Sequence, residues 1–401
     1  MLNINEITLG DCLTELKTLS NNSIDLIYLD PPFFTQSTQR LTDKKGKEYE
    51  FKDSWPSLDD YLIYIYDRLV ECKRVLKDTG SIFVHCDRNA SHYLKVELDK
   101  IFGMDQFQSE IIWSYKRWSN SKKGLLNNHQ VILFYSKTKR FAFNTLYTDY
   151  SETTNVDQIL QDRIRDKDGK ARYKLDENGE VVMGHGKKGV PLSDVWEIPY
   201  LNPKAKERVG YPTQKPIILL EQIIKLTTKE GDIVLDPFVG SGTTMVAAKL
   251  LNRDYIGIDI SEEAVTLTNH RLEEQVKTES ALLKKGKKAY QNLDEKSLSI
   301  IKSINAIPVQ RNSGIDGFLK DYIEEGMIAV RVQRECETLS ETIQKIEKAC
   351  KRKPCPYRVV IRTHIDLIDV IDYSNLDKNL LIIDQYDLQI LNKIKMKAIN
   401  D

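Results

Sequence analysis

No run of apolar residues in this 401-residue chain approaches the ~20 that a membrane-crossing helix needs, and nothing near Met1 reads as the apolar core of a secretion signal. No membrane partner is expected, and a cytoplasmic location follows. Cysteine is scarce: Cys12, Cys72, Cys86, Cys336, Cys350 and Cys355 show no Cys-x-x-Cys spacing, so no metal is expected and reduced thiols are the default. Net charge is missing altogether, with 59 Lys and Arg against 59 Asp and Glu, which over the whole chain argues against a polyanionic partner. The distribution reverses that inference. Residues 1–113 carry 13 basic and 19 acidic side chains, whereas residues 114–216 carry 19 and 12. Phosphate neutralisation needs only such a local excess. The length predicts two or three units, and 41% hydrophobic residues supply their cores.

What is present centres on Asp30-Pro31-Pro32-Phe33. The preceding run, residues 23–29, is apolar and β-branched and predicts a strand buried on both faces, so the tetrapeptide sits at a strand's carboxyl end, where open parallel sheets bind ligands. Two prolines fix φ and remove two N–H donors. A carboxylate, a free carbonyl and an aromatic ring are thereby held together, a set that suits a planar amino group on a ring: Asp30 and the Pro31 carbonyl accept its hydrogens and Phe33 stacks. An ordinary Pro-Pro turn after a strand is the competing reading. A second stretch favours the first. Residues 233–236 form another buried strand, followed by Pro237-Phe238-Val239-Gly240-Ser241-Gly242-Thr243-Thr244, a glycine turn opening a helix, and residues 254–259 form a strand ending in Asp259. The glycines admit a ligand to the backbone, the helix start favours a carboxylate or phosphate, and Asp259 suits ribose hydroxyls. The loop alone indicates a nucleoside cofactor without saying which.

Together these motifs resemble the S-adenosylmethionine-dependent DNA amino-methyltransferases, in which Asp-Pro-Pro-Phe holds the target amine and Asp-Pro-Phe-x-Gly-Ser-Gly-Thr-Thr binds the cofactor. The catalytic motif precedes the cofactor loop, as in the β group of that family, and Tyr211-Pro212-Thr213-Gln214-Lys215-Pro216 is a third match. The resemblance spans roughly residues 5–274 and implies an α/β, Rossmann-like methyltransferase fold. It implies catalytic Asp30, Pro31, Pro32 and Phe33, and cofactor contacts from Asp11, Thr213, Lys215, Asp236, Phe238, Gly240, Ser241, Gly242, Thr243, Thr244 and Asp259. Asp11 serves equally well as a helix N-cap. Asp at the first motif position favours adenine N6 over cytosine N4. The target is double-stranded DNA with the base flipped out; an RNA methyltransferase is the more distant alternative. A cognate restriction endonuclease and a homodimer are the further partners expected.

The resemblance divides the chain into a catalytic half (1–113), an inserted DNA-recognition region (114–202), a cofactor-binding half (203–276), a linker (277–303) and a small C-terminal α/β domain (304–401). Residues 34–53 are polar and lysine-rich and predict a mobile loop over the flipped base, or a plain surface loop. Spacing at Leu62, Ile65, Leu69, Cys72 and Leu76 predicts a core-packed helix. His85 reads as a satisfied histidine at the sheet's rim. In the insert, Lys116, Arg117, Lys122, Lys123, Lys187 and Lys188 are the candidate DNA contacts, and residues 163–174 alternate charge around Gly169. In the C-terminal part, Ile315-Asp316-Gly317 followed by Val330-Arg331-Val332-Gln333 weakly resembles a restriction-nuclease core. Arg331 and Gln333 stand where an acid and a lysine belong, so an inactive nuclease-like fold is expected.

Overall fold

The structure is a computed structural model that describes residues 3–42, 48–115, 123–148, 161–182, 189–202, 204–279, 293–310, 312–323, 326–351, 355–365 and 376–400. The chain divides into two compact units, residues 1–283 and 284–401.

The first unit is built on eight strands: β1 (Glu6–Leu9), β2 (Ile24–Leu29), β3 (Leu76–Cys86), β4 (Phe107–Ser114), β5 (His129–Ser136), β6 (Val195–Glu197), β7 (Ile233–Asp236) and β8 (Asp254–Asp259), in the spatial order β1-β8-β7-β2-β3-β5-β4-β6. All pairings are parallel except those of β5 with β3 and β4. β2 is buried at all six positions, as its unbroken apolar run requires of a central parallel strand. Its side chains alternate between two cores. Ile27 and Leu29 pack with α1 (Cys12–Leu16), α2 (Leu58–Val75) and α3 (Ser91–Phe102); Leu26 and Tyr28 pack on the opposite face with α4 (Ile217–Thr227) and α5 (Thr243–Leu250). A further helix, α6 (Glu262–Glu273), follows β8. The helical spacing read in residues 62–76 is that of α2, whose Tyr61, Ile65, Leu69, Cys72 and Val75 are buried; each such side chain contributes about 1.5–3 kcal/mol through its removal from water.

Two expectations are corrected here. Within the expected loop of residues 34–53, Ser37–Thr42 pairs antiparallel with Glu48–Asp53 in a hairpin; its strand signal is short, Tyr49 and Phe51 alternating with Glu48, Glu50 and Lys52 inside a lysine-rich stretch. The span 114–202 is not wholly an insert either, since β5 and β6 lie in it and extend the main sheet. Between those two strands residues Arg163–Arg165 and Ala171–Tyr173 form an exposed two-stranded ribbon.

The second unit orders α7 (Glu295–Ser303), β9 (Ile307–Pro308), β10 (Gly317–Ile323), β11 (Gly326–Val332), α8 (Leu339–Cys350), β12 (Arg358–Arg362), β13 (Leu380–Asp384) and α9 (Tyr386–Asn400). Its five strands lie in sequence order, antiparallel from β9 to β11 and parallel from β11 to β13. Thr338 and Glu341 close a reciprocal capping box at the start of α8. The expected linker is shorter than the sequence indicates: Ile300 and Ile301 of α7 are core residues of this unit.

Candidate functional site

β2, β7 and β8 are parallel neighbours, and each ends in an acid: Asp30 just beyond β2, Asp236 closing β7 and Asp259 closing β8. These strand ends open into a cleft of about 330 Å³. Its lining includes Asp30, Pro31, Pro32, Phe33, Thr213, Lys215, Asp236, Phe238, Gly240, Ser241, Thr243, Thr244 and Asp259, so most of the residues singled out by motif converge on one cavity.

The two oxygens of Asp30 differ. Oδ2 is 2.5 Å from Lys215 Nζ, an ion pair in which the lysine side chain is 5% exposed. Oδ1 is buried and has no hydrogen-bond partner among the described residues. A buried acceptor left open costs about 1–3 kcal/mol, and an arriving donor recovers it. The ring of Phe33 lies beneath the Lys215 ammonium, 5.5 Å from ring centre to nitrogen. Its backbone is clamped on both sides: Phe33 N–H donates to Asp53 Oδ1 at 3.0 Å, and Trp55 Nε1–H donates to the Phe33 carbonyl at 3.3 Å. Asp53 is the last residue of the hairpin, so the hairpin is tied to the catalytic turn. Burial pushes the Asp53 carboxyl up to about 6, with the Asp30 charge adding to it against the Phe33 hydrogen bond.

The cofactor loop follows from its glycines. Gly240 and Gly242 have φ of +48° and +76°. A Cβ on Gly242 would stand 2.6 Å from the Thr268 side chain, and one on Gly240 would meet the Tyr211 ring at 3.4 Å. Asp259 Oδ2 accepts Gly240 N–H at 2.8 Å and Oδ1 accepts Ser261 N–H at 2.9 Å, which fixes the loop against β8. Buried Arg271 donates to the Ser241 carbonyl and to Thr243 Oγ1 from below. Asp236 accepts Phe238 N–H at 3.0 Å. Complete burial, with the Asp30 and Asp259 charges adding to it, raises its carboxyl to about 7 against the Thr244 and Phe238 hydrogen bonds. A cationic ligand beside it is therefore favoured.

Several placements differ from expectation. Asp11 is the N-cap of α1: its carboxylate accepts Leu13 N–H and Thr14 N–H and pairs with Arg68 at 2.6 Å, and it is not part of the cleft lining. Gly242 shapes the loop without lining the cleft. Lys215, expected at the cofactor, lines the cleft and is ion-paired with Asp30. His85 is not at a rim but fully buried. Lys116, Arg117, Lys122, Lys187 and Lys188 lie outside the described residues; Lys123 is described and exposed. Asp53, Thr268 and Arg271 were not legible, since each acts on a motif 20 to 30 positions away in sequence.

Residues 24–270 match the family described as DNA methylase, the N6 and N4 amino-methyltransferases. The chain belongs to this family. Among its relatives, the type II methyltransferase M.HpaI of Haemophilus parainfluenzae is 34% identical over 267 residues, covering 66% of this chain and 73% of the relative. The DNA adenine methyltransferase YhdJ of Escherichia coli K12 is 31% identical, covering 66% and 81%. A crystal structure of an M1.HpyAVI–SAM complex covers 67% of this chain and 98% of its own, at 20% identity and a TM-score of 0.44. The methylase match ends before the second unit begins. The protein is thus a DNA methyltransferase, with S-adenosylmethionine as the methyl donor of its family. Among the described residues no helix is long and apolar enough to cross a membrane.

Proposed function

We propose that this methylase transfers a methyl group to N6 of adenine in double-stranded DNA, in the cytoplasm, at a site protected against a cognate restriction endonuclease. Asp30 carries the reading: Lys215 engages one oxygen, the other is an open buried acceptor, and Phe33 is held rigidly beside it. S-adenosylmethionine supplies an electrophilic methyl group when bound. Gly240 lines the cleft with no side chain to fill it, and Gly242 holds the loop close to Thr268 where a Cβ would not fit. Phe238, Ser241, Thr243, Thr244 and Thr213 line the cleft and would hold the ligand there, Asp236 being suited to its positive charge and Asp259 to its hydroxyls.

An adenine amine is a weak nucleophile because its lone pair is delocalised into the ring. Asp30 Oδ1 and the Pro31 carbonyl accept its two hydrogens and localise that pair, and Phe33 stacks on the base. The gain is positional and electrostatic. A base inside the duplex cannot reach the cleft, so it flips out first. The exposed ribbon adds candidate DNA contacts: Arg163, Arg165 and Tyr173 share one face, with Arg163 5.2 Å from the Tyr173 ring.

The test is nucleoside mass spectrometry of DNA from a methylation-free host expressing the parent or Asp30→Ala. N6-methyladenine is expected from the parent and none from the variant, with the variant's affinity for S-adenosylmethionine retained. N4-methylcytosine would move the specificity to cytosine, and unmodified DNA beside methylated RNA would sink the proposal.

A further inference from the structure

The methylation reading leaves one buried group without a task. His85, on β3, is completely enclosed, among the rings of Phe33 at 6.0 Å, Trp113 at 5.7 Å and Tyr28 at 6.2 Å between centres. Its Nε2 lies 2.9 Å from Gln130 Oε1, and its Nδ1 lies 2.7 Å from the Tyr28 hydroxyl. Asp30 Oδ1, the open acceptor, is 4.0 Å from the same Nδ1.

Proton placement decides what Asp30 can do. The Gln130 oxygen only accepts, so the hydrogen of a neutral imidazole sits on Nε2. Nδ1 is then bare and accepts the Tyr28 O–H. Both protons near Oδ1 point away from it. Were the proton on Nδ1, or on both nitrogens, it would donate to the Tyr28 oxygen at 2.7 Å rather than to Oδ1 at 4.0 Å, and the displaced Tyr28 O–H would be free to turn toward the acceptor meant for the target amine. The groups facing the ring support the neutral form: burial, with the Lys215 charge adding to it, holds its pKa down to about 3 against the opposite pull of Asp30 and Gln130.

We propose that Gln130, His85 and Tyr28 form a tautomer lock, positioning residues that keep Asp30 Oδ1 open for the target amino group. This rests on the methylation reading, and the test separates the two. Imidazole nitrogen shifts of the parent without DNA, recorded by NMR from about pH 6 to 8, are expected to show His85 protonated on Nε2 and bare on Nδ1 throughout. His85→Phe leaves the Tyr28 hydroxyl free to turn toward Oδ1. Losing one open acceptor of about 1–3 kcal/mol slows single-turnover methylation roughly tenfold or more, while calorimetric affinity for S-adenosylmethionine stays at the parent's value. His85→Gln, which accepts from Tyr28 and donates to Gln130, recovers most of the rate. Gln130→Glu introduces a carboxylate that stabilises the imidazolium, so its rate falls at low pH and recovers as pH rises. A proton on Nδ1 in the parent, or parental rates in His85→Phe, overturns the lock. If the parent leaves DNA unmethylated, the methylation reading fails, and the nitrogen shifts still decide the tautomer.

Discussion

Lys215 distinguishes two descriptions of the cleft. As a cofactor ligand its removal would weaken S-adenosylmethionine binding; as the partner of Asp30 Oδ2 its removal frees the carboxylate to rotate and adds an uncompensated charge beside Asp236. Lys215→Met is therefore expected to lower kcat by about 10²–10³, the scale of losing one preorganised electrostatic partner, with calorimetric cofactor affinity nearly unchanged. A parallel fall in affinity would return Lys215 to the cofactor. Asp236 makes a second prediction. Its folded carboxyl titrates at about 7, above the ordinary carboxylate value, so the stability it contributes is complete below about pH 4 and is lost as pH rises through about 7. Asp236→Asn keeps an acceptor for Phe238 N–H and removes the titration. Thermal unfolding of the free protein should show the variant gaining on the parent from pH 5 to about 8, and losing the cofactor-induced rise in Tm. Identical pH profiles would mean that Asp236 is not the strained acid.

At the scale of elements, the hairpin Ser37–Asp53 and the catalytic turn act as one piece because Asp53 accepts Phe33 N–H and Trp55 covers the Phe33 carbonyl. Asp53→Ala orphans a buried N–H, at about 1–3 kcal/mol. Faster limited proteolysis within residues 37–53 and a lower kcat are expected together; a loss of rate with unchanged cleavage would uncouple the hairpin from the turn. This coupling also marks where sequence reading stops. The catalytic turn and the cofactor loop are legible because each is contiguous and its chemistry is local: prolines after an acid, glycines before a helix. The strands β2, β7 and β8 are legible from their apolar runs. Pairing across the fold is not: Lys215 reaches Asp30 over 185 positions, and Arg271 reaches Ser241 over 30. A hairpin whose alternation is confined to Tyr49 and Phe51 leaves only a short trace in a lysine-rich stretch, and a buried histidine looks the same in sequence as one at a rim.

At the scale of the whole molecule, the second unit poses the question of nuclease activity. Asp316, which aligns with the acid of the weak nuclease resemblance, is 1% exposed and already engaged: Arg334 binds Oδ1 at 2.8 Å, Val332 N–H binds Oδ2 at 2.8 Å, and Arg331 stands 3.7 Å away. Arg331 in turn forks onto Glu337, which also takes Lys345. Guanidinium groups fill the space that a divalent cation would need, so the network is read as a buried scaffold. Asp316→Ala removes the buried carboxylate that Arg334 and Val332 N–H share, leaving that N–H without its acceptor and Arg334 with Asp294 as its remaining acid, and should destabilise the second unit by about 3–5 kcal/mol, seen as loss of its hydrogen-exchange protection while the first unit stays protected. The boundary matters for the companion test. Cutting after Ser299 would split α7, whose Ile300 and Ile301 belong to the second core, whereas ending the chain at Leu283 follows the division between the units. The shortened chain is expected to methylate DNA with weaker affinity or altered site choice. Mg²⁺-dependent cleavage of unmethylated DNA by the full chain, abolished in Asp316→Ala without unfolding, would instead make the second unit a working nuclease joined to the methylase.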